Sequence, residues 1–162
     1  MAETSVEVKE LRKNISPKAL LLAVNGNKLL VHGILSNEVE KNTVRPPGGR
    51  IEFGEYSETT IRREMQEELN SAINNLRFLG PLENIFQDPQ GKQYHEILFI
   101  YSGTFGKKEL YKNGTVRYAD ETGRVVEYRW IPIKDLLNHT QPIVPKGIDK
   151  FLKILIKETQ VE

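Results

Sequence analysis

A chain of 162 residues with 38% hydrophobic content has apolar mass for one compact core and leaves no room for a second domain. Its 23 Lys and Arg against 22 Asp and Glu give a net charge of +1, too little for the broad positive field of a general nucleic-acid binder, although a small phosphorylated ligand stays open. With no cysteine, disulfides, thiolate metal sites and thiol nucleophiles drop out together, so any metal must sit on oxygen or imidazole.

Residues 1–14 are charged and read as a peripheral tail or a short added strand, ahead of a single domain over residues 15–162. The opening residues lack the apolar stretch of a secretory signal, and the longest apolar run, Ala19 to Val24, is too short to span a bilayer. The expectation is a cytoplasmic protein with no membrane contact.

The run from Ala19 to Val24, the turn Asn25-Gly26-Asn27 and the run from Lys28 to Leu35 predict two strands joined as a hairpin. A polar connection then leads to Arg45-Pro46-Pro47-Gly48-Gly49, where rigid and permissive backbone alternate and a shaped loop is expected. Helical periodicity starts at Ser57 and runs to about Asn70. Further strands are predicted over residues 76–82, 97–105 and 125–131, rich in β-branched and aromatic side chains, with Gly80-Pro81 breaking the first. Lys107 to Gly123 reads as a hairpin or exposed loop. Trp130, alternating with charged neighbours, is expected to anchor the core. Ile148, Phe151, Leu152 and Leu155 have the spacing of a helix with one buried stripe. Hairpin signals mixed with helices, without regular βαβ repetition, predict an α/β fold with a mixed β-sheet sandwiched between α-helices.

The chemistry concentrates on the helix from Ser57. With Glu64 as zero and about 100° per residue, Glu67 and Glu68 lie roughly 60° and 40° to either side, so the three carboxylates share one face. Ile61, Met65 and Leu69 form an adjoining apolar stripe whose burial would aim that face. Clustered carboxylates repel unless a cation neutralises them, and an oxygen-only set suits Mg²⁺ or Mn²⁺. Taken alone, Glu-x-x-Glu-Glu is more simply a solvated helix face. The flanking residues decide otherwise.

From Gly49 the chain runs through five residues to Glu55 and seven more to Arg63-Glu64-Met65-Gln66-Glu67-Glu68. Six fixed positions at set spacing arise by chance in a chain of this length about once in 10⁵ sequences. The pattern resembles the Nudix box of the Nudix hydrolase family. Compatible features on both sides, from Arg45-Pro46-Pro47-Gly48-Gly49 to the strand with Trp130, extend the resemblance over most of the chain after residue 15. The box departs from the family at its end, with Asn70 and Ser71 where glycine and an aliphatic residue are usual. Asparagine tolerates the left-handed backbone that ends a helix, and Ala72 or Ile73 can replace the apolar anchor.

The resemblance implies a Nudix fold and a Mg²⁺-dependent pyrophosphohydrolase, with Mn²⁺ as a substitute, acting on a nucleoside diphosphate linked to another group. Nucleoside triphosphates, dinucleoside polyphosphates, ADP-ribose and nucleotide sugars all fit. It assigns the metal to Glu64, Glu67, Glu68 and the Gly49 carbonyl, leaves the base open between Glu64 and Glu67, and gives Arg63 and Glu55 the task of orienting the ligands. Glu109, Asp120 and Glu121 are candidates for an added ligand or base from a later loop. Arg45, Phe86, Tyr94 and His95 are candidate substrate contacts, since aromatic faces stack on bases and guanidinium recognises phosphate. A homodimer is expected by analogy, and a non-catalytic nucleotide sensor is the alternative function.

Overall fold

The strand Ser16–Leu22 (β1) takes its place from a run buried on both faces: Leu20 and Leu22 enter one apolar cluster, Ala19 and Leu21 another. The computed structural model describes residues 14–33, 42–112, 114–119 and 122–160, so the predicted N-terminal tail or strand lies almost wholly outside the described residues. A strand covered on both sides belongs inside a sheet. Accordingly β1 lies between Gly48–Arg50 (β5), to which it is antiparallel, and Gln93–Phe105 (β7), to which it is parallel; Ile73–Gln87 (β6) completes this mixed sheet, antiparallel to β7.

The hairpin is shorter than the sequence suggested. The chain changes sheets at Ala23, and only Val24–Asn25 (β2) pairs back on Lys28–Gly33 (β3) across a turn in which Gly26 has φ 60°. β3 then joins Val44–Arg45 (β4) and Val125–Pro132 (β9), and β9 carries Thr115–Ala119 (β8), giving a second, antiparallel sheet. Lys107 to Gly123, read as a hairpin or exposed loop, supplies the short helix Glu109–Lys112 (α2) and then β8, which pairs antiparallel with β9 as the first arm of a hairpin. Gly80-Pro81 does not end its strand either. β6 is an outer strand, where register shifts at Asn74/Arg77 and Phe78/Gly80 absorb the irregularity.

Helices cover both faces. On one side Ser57–Leu69 (α1) buries Ile61, Met65 and Leu69 with Ala19, Leu21, Leu30 and Tyr128. On the other, Ile133–Leu137 (α3) and Asp149–Thr159 (α4) bury Ile133, Leu136, Phe151, Leu152 and Leu155 with Leu20, Leu22, Leu29 and Val31. Trp130 packs beside the cluster under α1, stacks on Tyr111 with ring centroids 5.5 Å apart, and donates to the Leu110 carbonyl at 2.9 Å, tying α2 to β9. Among the described residues no helix is long and apolar enough to cross a membrane.

Candidate active site

Both ends of α1 are fixed, which is what lets it present side chains in register. At its start, the Ser57 and Tyr101 hydroxyls meet at 2.6 Å and tie the first turn to β7. At its end, Asn70 takes the left-handed conformation with φ 48° and ψ 47°, as its tolerance for that geometry predicts. Its N–H returns to the Gln66 carbonyl at 3.1 Å, and Ser71 N–H to Met65 at 3.3 Å. Ser71 is buried as a polar link: its hydroxyl donates to the Ala72 carbonyl at 2.9 Å and accepts from Lys107 N–H at 3.2 Å. Ile73 supplies the apolar anchor instead, at 3% exposure.

Glu55 and Arg63 form a forked ion pair beneath the helix face. Arg63 Nε and Nη2 donate to the two Glu55 oxygens at 2.8 and 3.1 Å. Thr60 Oγ1 donates to the same carboxylate at 2.8 Å and Glu52 N–H at 3.1 Å. The Arg63 hydrogen bonds, with those of Thr60 and Glu52 behind them, hold the Glu55 carboxyl down to about 2. Glu55 in turn raises the already high pKa of Arg63. The remaining guanidinium nitrogen, Nη1, reaches Glu64 at 3.1 Å and Glu67 at 3.4 Å, and Nη2 also meets the Arg50 carbonyl at 3.3 Å. One arginine thus joins the loop before the helix to two of its three carboxylates.

Glu64 lies directly against Gly49. A Cβ on Gly49 would fall 2.1 Å from Glu64 Oε1, so only glycine admits the carboxylate at this place. Glu68, one turn on, accepts a hydrogen bond from the buried Tyr128 hydroxyl of β9. Burial pushes the Glu68 carboxyl up to about 7; the Tyr128 bond opposes this and the neighbouring Glu64 charge adds to it. Glu67 is the exposed member, with 55% of its side chain accessible.

Carboxylates beside a glycine backbone make an all-oxygen donor set that suits a hard divalent cation. Among the described residues no three Asp, Glu or His side chains already stand at the spacing of a formed metal site. Arg63 engages Glu64 and Glu67, and Tyr128 engages Glu68.

On the α4 face of the first sheet, a cavity of about 520 Å³ opens between β6, β7, Arg45 and the segment 144–146. Three of the four predicted substrate contacts line it. Phe86 and Tyr94 stack on each other with centroids 5.0 Å apart and planes 11° from parallel. Arg45 lines the wall with a buried Nε that makes no hydrogen bond, and its charge is felt at Glu68. His95 is not brought there. Strand alternation turns it to the opposite face, where Nε2 lies 3.4 Å from Glu83. Of the candidate added ligands, Glu109 is exposed at the start of α2 with no bond to α1, while Asp120 and Glu121 lie outside the described residues.

Several neighbours of the site went unremarked in the sequence. Thr60 and Tyr128 were hidden because each buttresses a carboxylate from a position that reads as ordinary core. Lys18, Asn84 and Glu96 line the cavity floor. The signal for Glu96 was a carboxylate sharing a strand face with Leu98, which alternation alone exposes.

The comparisons with known proteins bear on the family and the fold. The NUDIX domain model matches residues 16–152. Over 90 residues the chain is 33% identical to a Mycobacterium tuberculosis protein provisionally named mutator protein MutT4; the match covers 56% of this chain and 33% of the relative, so the chain spans about a third of that protein's length. Among solved structures, the MutT NUDIX hydrolase of Burkholderia pseudomallei superposes with a TM-score of 0.62 at 18% identity, covering 86% of this chain and 95% of its own. A mutator MutT protein from Bacillus halodurans gives 0.56 at 19% identity, with 86% and 80% coverage. A structure described as an ADP compounds hydrolase gives 0.58 at 17% identity, with 91% and 74% coverage. Identities this low speak for the fold, and the family match over residues 16–152 speaks for the lineage: the chain belongs to the Nudix hydrolase family.

Proposed function

We propose that the protein is a Mg²⁺-dependent pyrophosphohydrolase that cleaves a phosphoanhydride bond in a nucleoside diphosphate linked to another moiety. The observation that carries this reading is Arg45, which lines the cavity with an unpartnered buried nitrogen while its charge reaches Glu68. A guanidinium there can hold a phosphate between a nucleoside in the cavity and the carboxylates of α1.

In this reading Glu64, Glu67, Glu68 and the Gly49 carbonyl hold the cation. When bound, it supplies acidification of the attacking water and neutralises charge on the phosphoryl oxygens. Arg63, clamped by Glu55, orients Glu64 and Glu67. Glu64 or Glu67 accepts the proton of the water. Phe86 and Tyr94 give the base an aromatic wall.

The deciding experiment is a panel of nucleoside triphosphates, dinucleoside polyphosphates, ADP-ribose and nucleotide sugars with Mg²⁺ or Mn²⁺, the products identified by mass spectrometry. Metal-dependent release of a nucleoside mono- or diphosphate is expected. Calorimetric nucleotide binding with no cleavage anywhere in the panel would establish a sensor instead.

Tyr128 gives a separate test of the metal assignment. Tyr128→Phe keeps the buried ring and removes only the donor to Glu68, so Mn²⁺ affinity measured by calorimetry should fall roughly tenfold or more, as for other outer partners of metal ligands. An unchanged affinity would remove Glu68 from the metal site.

A further inference from the structure

The cavity floor carries a charge pair to which no part of the proposed reaction assigns a role. Glu96 is only 6% exposed. Lys18 Nζ donates to one of its oxygens and Asn84 Nδ2 donates to the other at 3.2 Å. Each carboxylate oxygen has two lone pairs, so both can accept once more. Lys18 cancels the charge of Glu96, which makes this stretch of floor suited to an uncharged part of a ligand; Arg45 and Lys146, also on the wall, carry positive charge for phosphate.

The strand register orders these groups. On the cavity face β6 and β7 present the rungs Phe86–Tyr94, Asn84–Glu96 and Leu82–Leu98 in succession. Residues two apart on a strand are separated by about 7 Å. A base stacked on the aromatic rung therefore leaves its sugar beside Asn84 and Glu96. A ribose there offers two adjacent hydroxyls, each an O–H donor, to two carboxylate oxygens that can only accept. Acidic side chains bind ribose hydroxyls in the same way in dinucleotide-binding folds.

We infer that Glu96, held by Lys18 and Asn84, accepts hydrogen bonds from the ribose 2′,3′-diol, so that the substrates are ribonucleotide derivatives in preference to their 2′-deoxy counterparts. The inference rests on the nucleotide-hydrolase reading above. Loss of the 2′-hydroxyl removes one charge-assisted hydrogen bond and leaves a buried carboxylate oxygen without it.

For every ribonucleotide that the wild-type enzyme turns over, kcat/KM is compared with that of its 2′-deoxy counterpart. A deficit of about 10- to 100-fold for the deoxy compound is expected, carried by KM, because a hydrogen bond to a charged group is lost far from the scissile bond. In Glu96→Gln the ratio should shrink to within about threefold. If that variant fails to fold, the wild-type ratio alone decides. Equal wild-type values for the two sugars would overturn the inference while leaving the hydrolase reading intact, whereas no turnover of any nucleotide would overturn both.

Discussion

Glu64→Gln is expected to lower metal-dependent turnover by about 10²- to 10⁴-fold, the range over which a positioned proton acceptor contributes. The substitution is nearly isosteric, so the side chain can keep its place against Gly49, where a Cβ would come within 2.1 Å of Glu64 Oε1. Arg63 can still donate to the amide oxygen in place of the carboxylate 3.1 Å away, so the melting temperature in EDTA should change little. What disappears is the negative charge. Glu67→Gln in the same assays separates the two candidate bases. The variant that loses kcat while keeping Mn²⁺ affinity has lost the base, and the one that loses affinity has lost a ligand. Unchanged turnover in both would remove these glutamates from the reaction.

The helix could be read in advance because its information is local. Ile61, Met65 and Leu69 are all under 5% exposed, as their spacing requires, and Asn70 ends the helix in the left-handed conformation its chemistry allows. The ion pair of Arg63 with Glu55 was legible only through the resemblance, since the two lie eight residues apart and meet by a turn in the preceding loop. Contacts between distant strands were not legible at all. Tyr128 and Glu68 are sixty residues apart in the chain, and nothing near either announces the other. The same holds for Lys18 and Glu96, brought together by the parallel pairing of β1 with β7. The hairpin was overestimated for a related reason. A local turn signal at Asn25-Gly26 predicts pairing, but two-sided burial of Ala19 to Leu22 is a tertiary demand, and it drew β1 into the other sheet. His95 shows the limit of residue type as a guide: alternation along β7 puts it on the face opposite Glu96, and the cavity lies on the face of Glu96.

Arg63→Met should be the most damaging change outside the proposed metal ligands, because one side chain serves Glu55, Glu64, Glu67 and the Arg50 carbonyl. Turnover should fall by about 10- to 100-fold through misdirected carboxylates. The folded state also weakens, by less than the roughly 3–5 kcal/mol of a fully buried pair, since 30% of the Arg63 side chain is exposed. The pH dependence of that loss identifies its origin. Glu55 titrates at about 2 in the folded protein against an ordinary value of 4.5, so its pairing stabilises the fold fully above pH 4.5 and is lost as pH falls through about 2. The gap in melting temperature between wild type and Arg63→Met, measured in EDTA, should therefore be widest above pH 4.5 and narrow steadily toward pH 2. Arg63→Lys keeps the charge without the fork and should fall between the two. A gap that stays constant across this window would mean that Arg63 stabilises the loop by packing alone, with Glu55 a bystander.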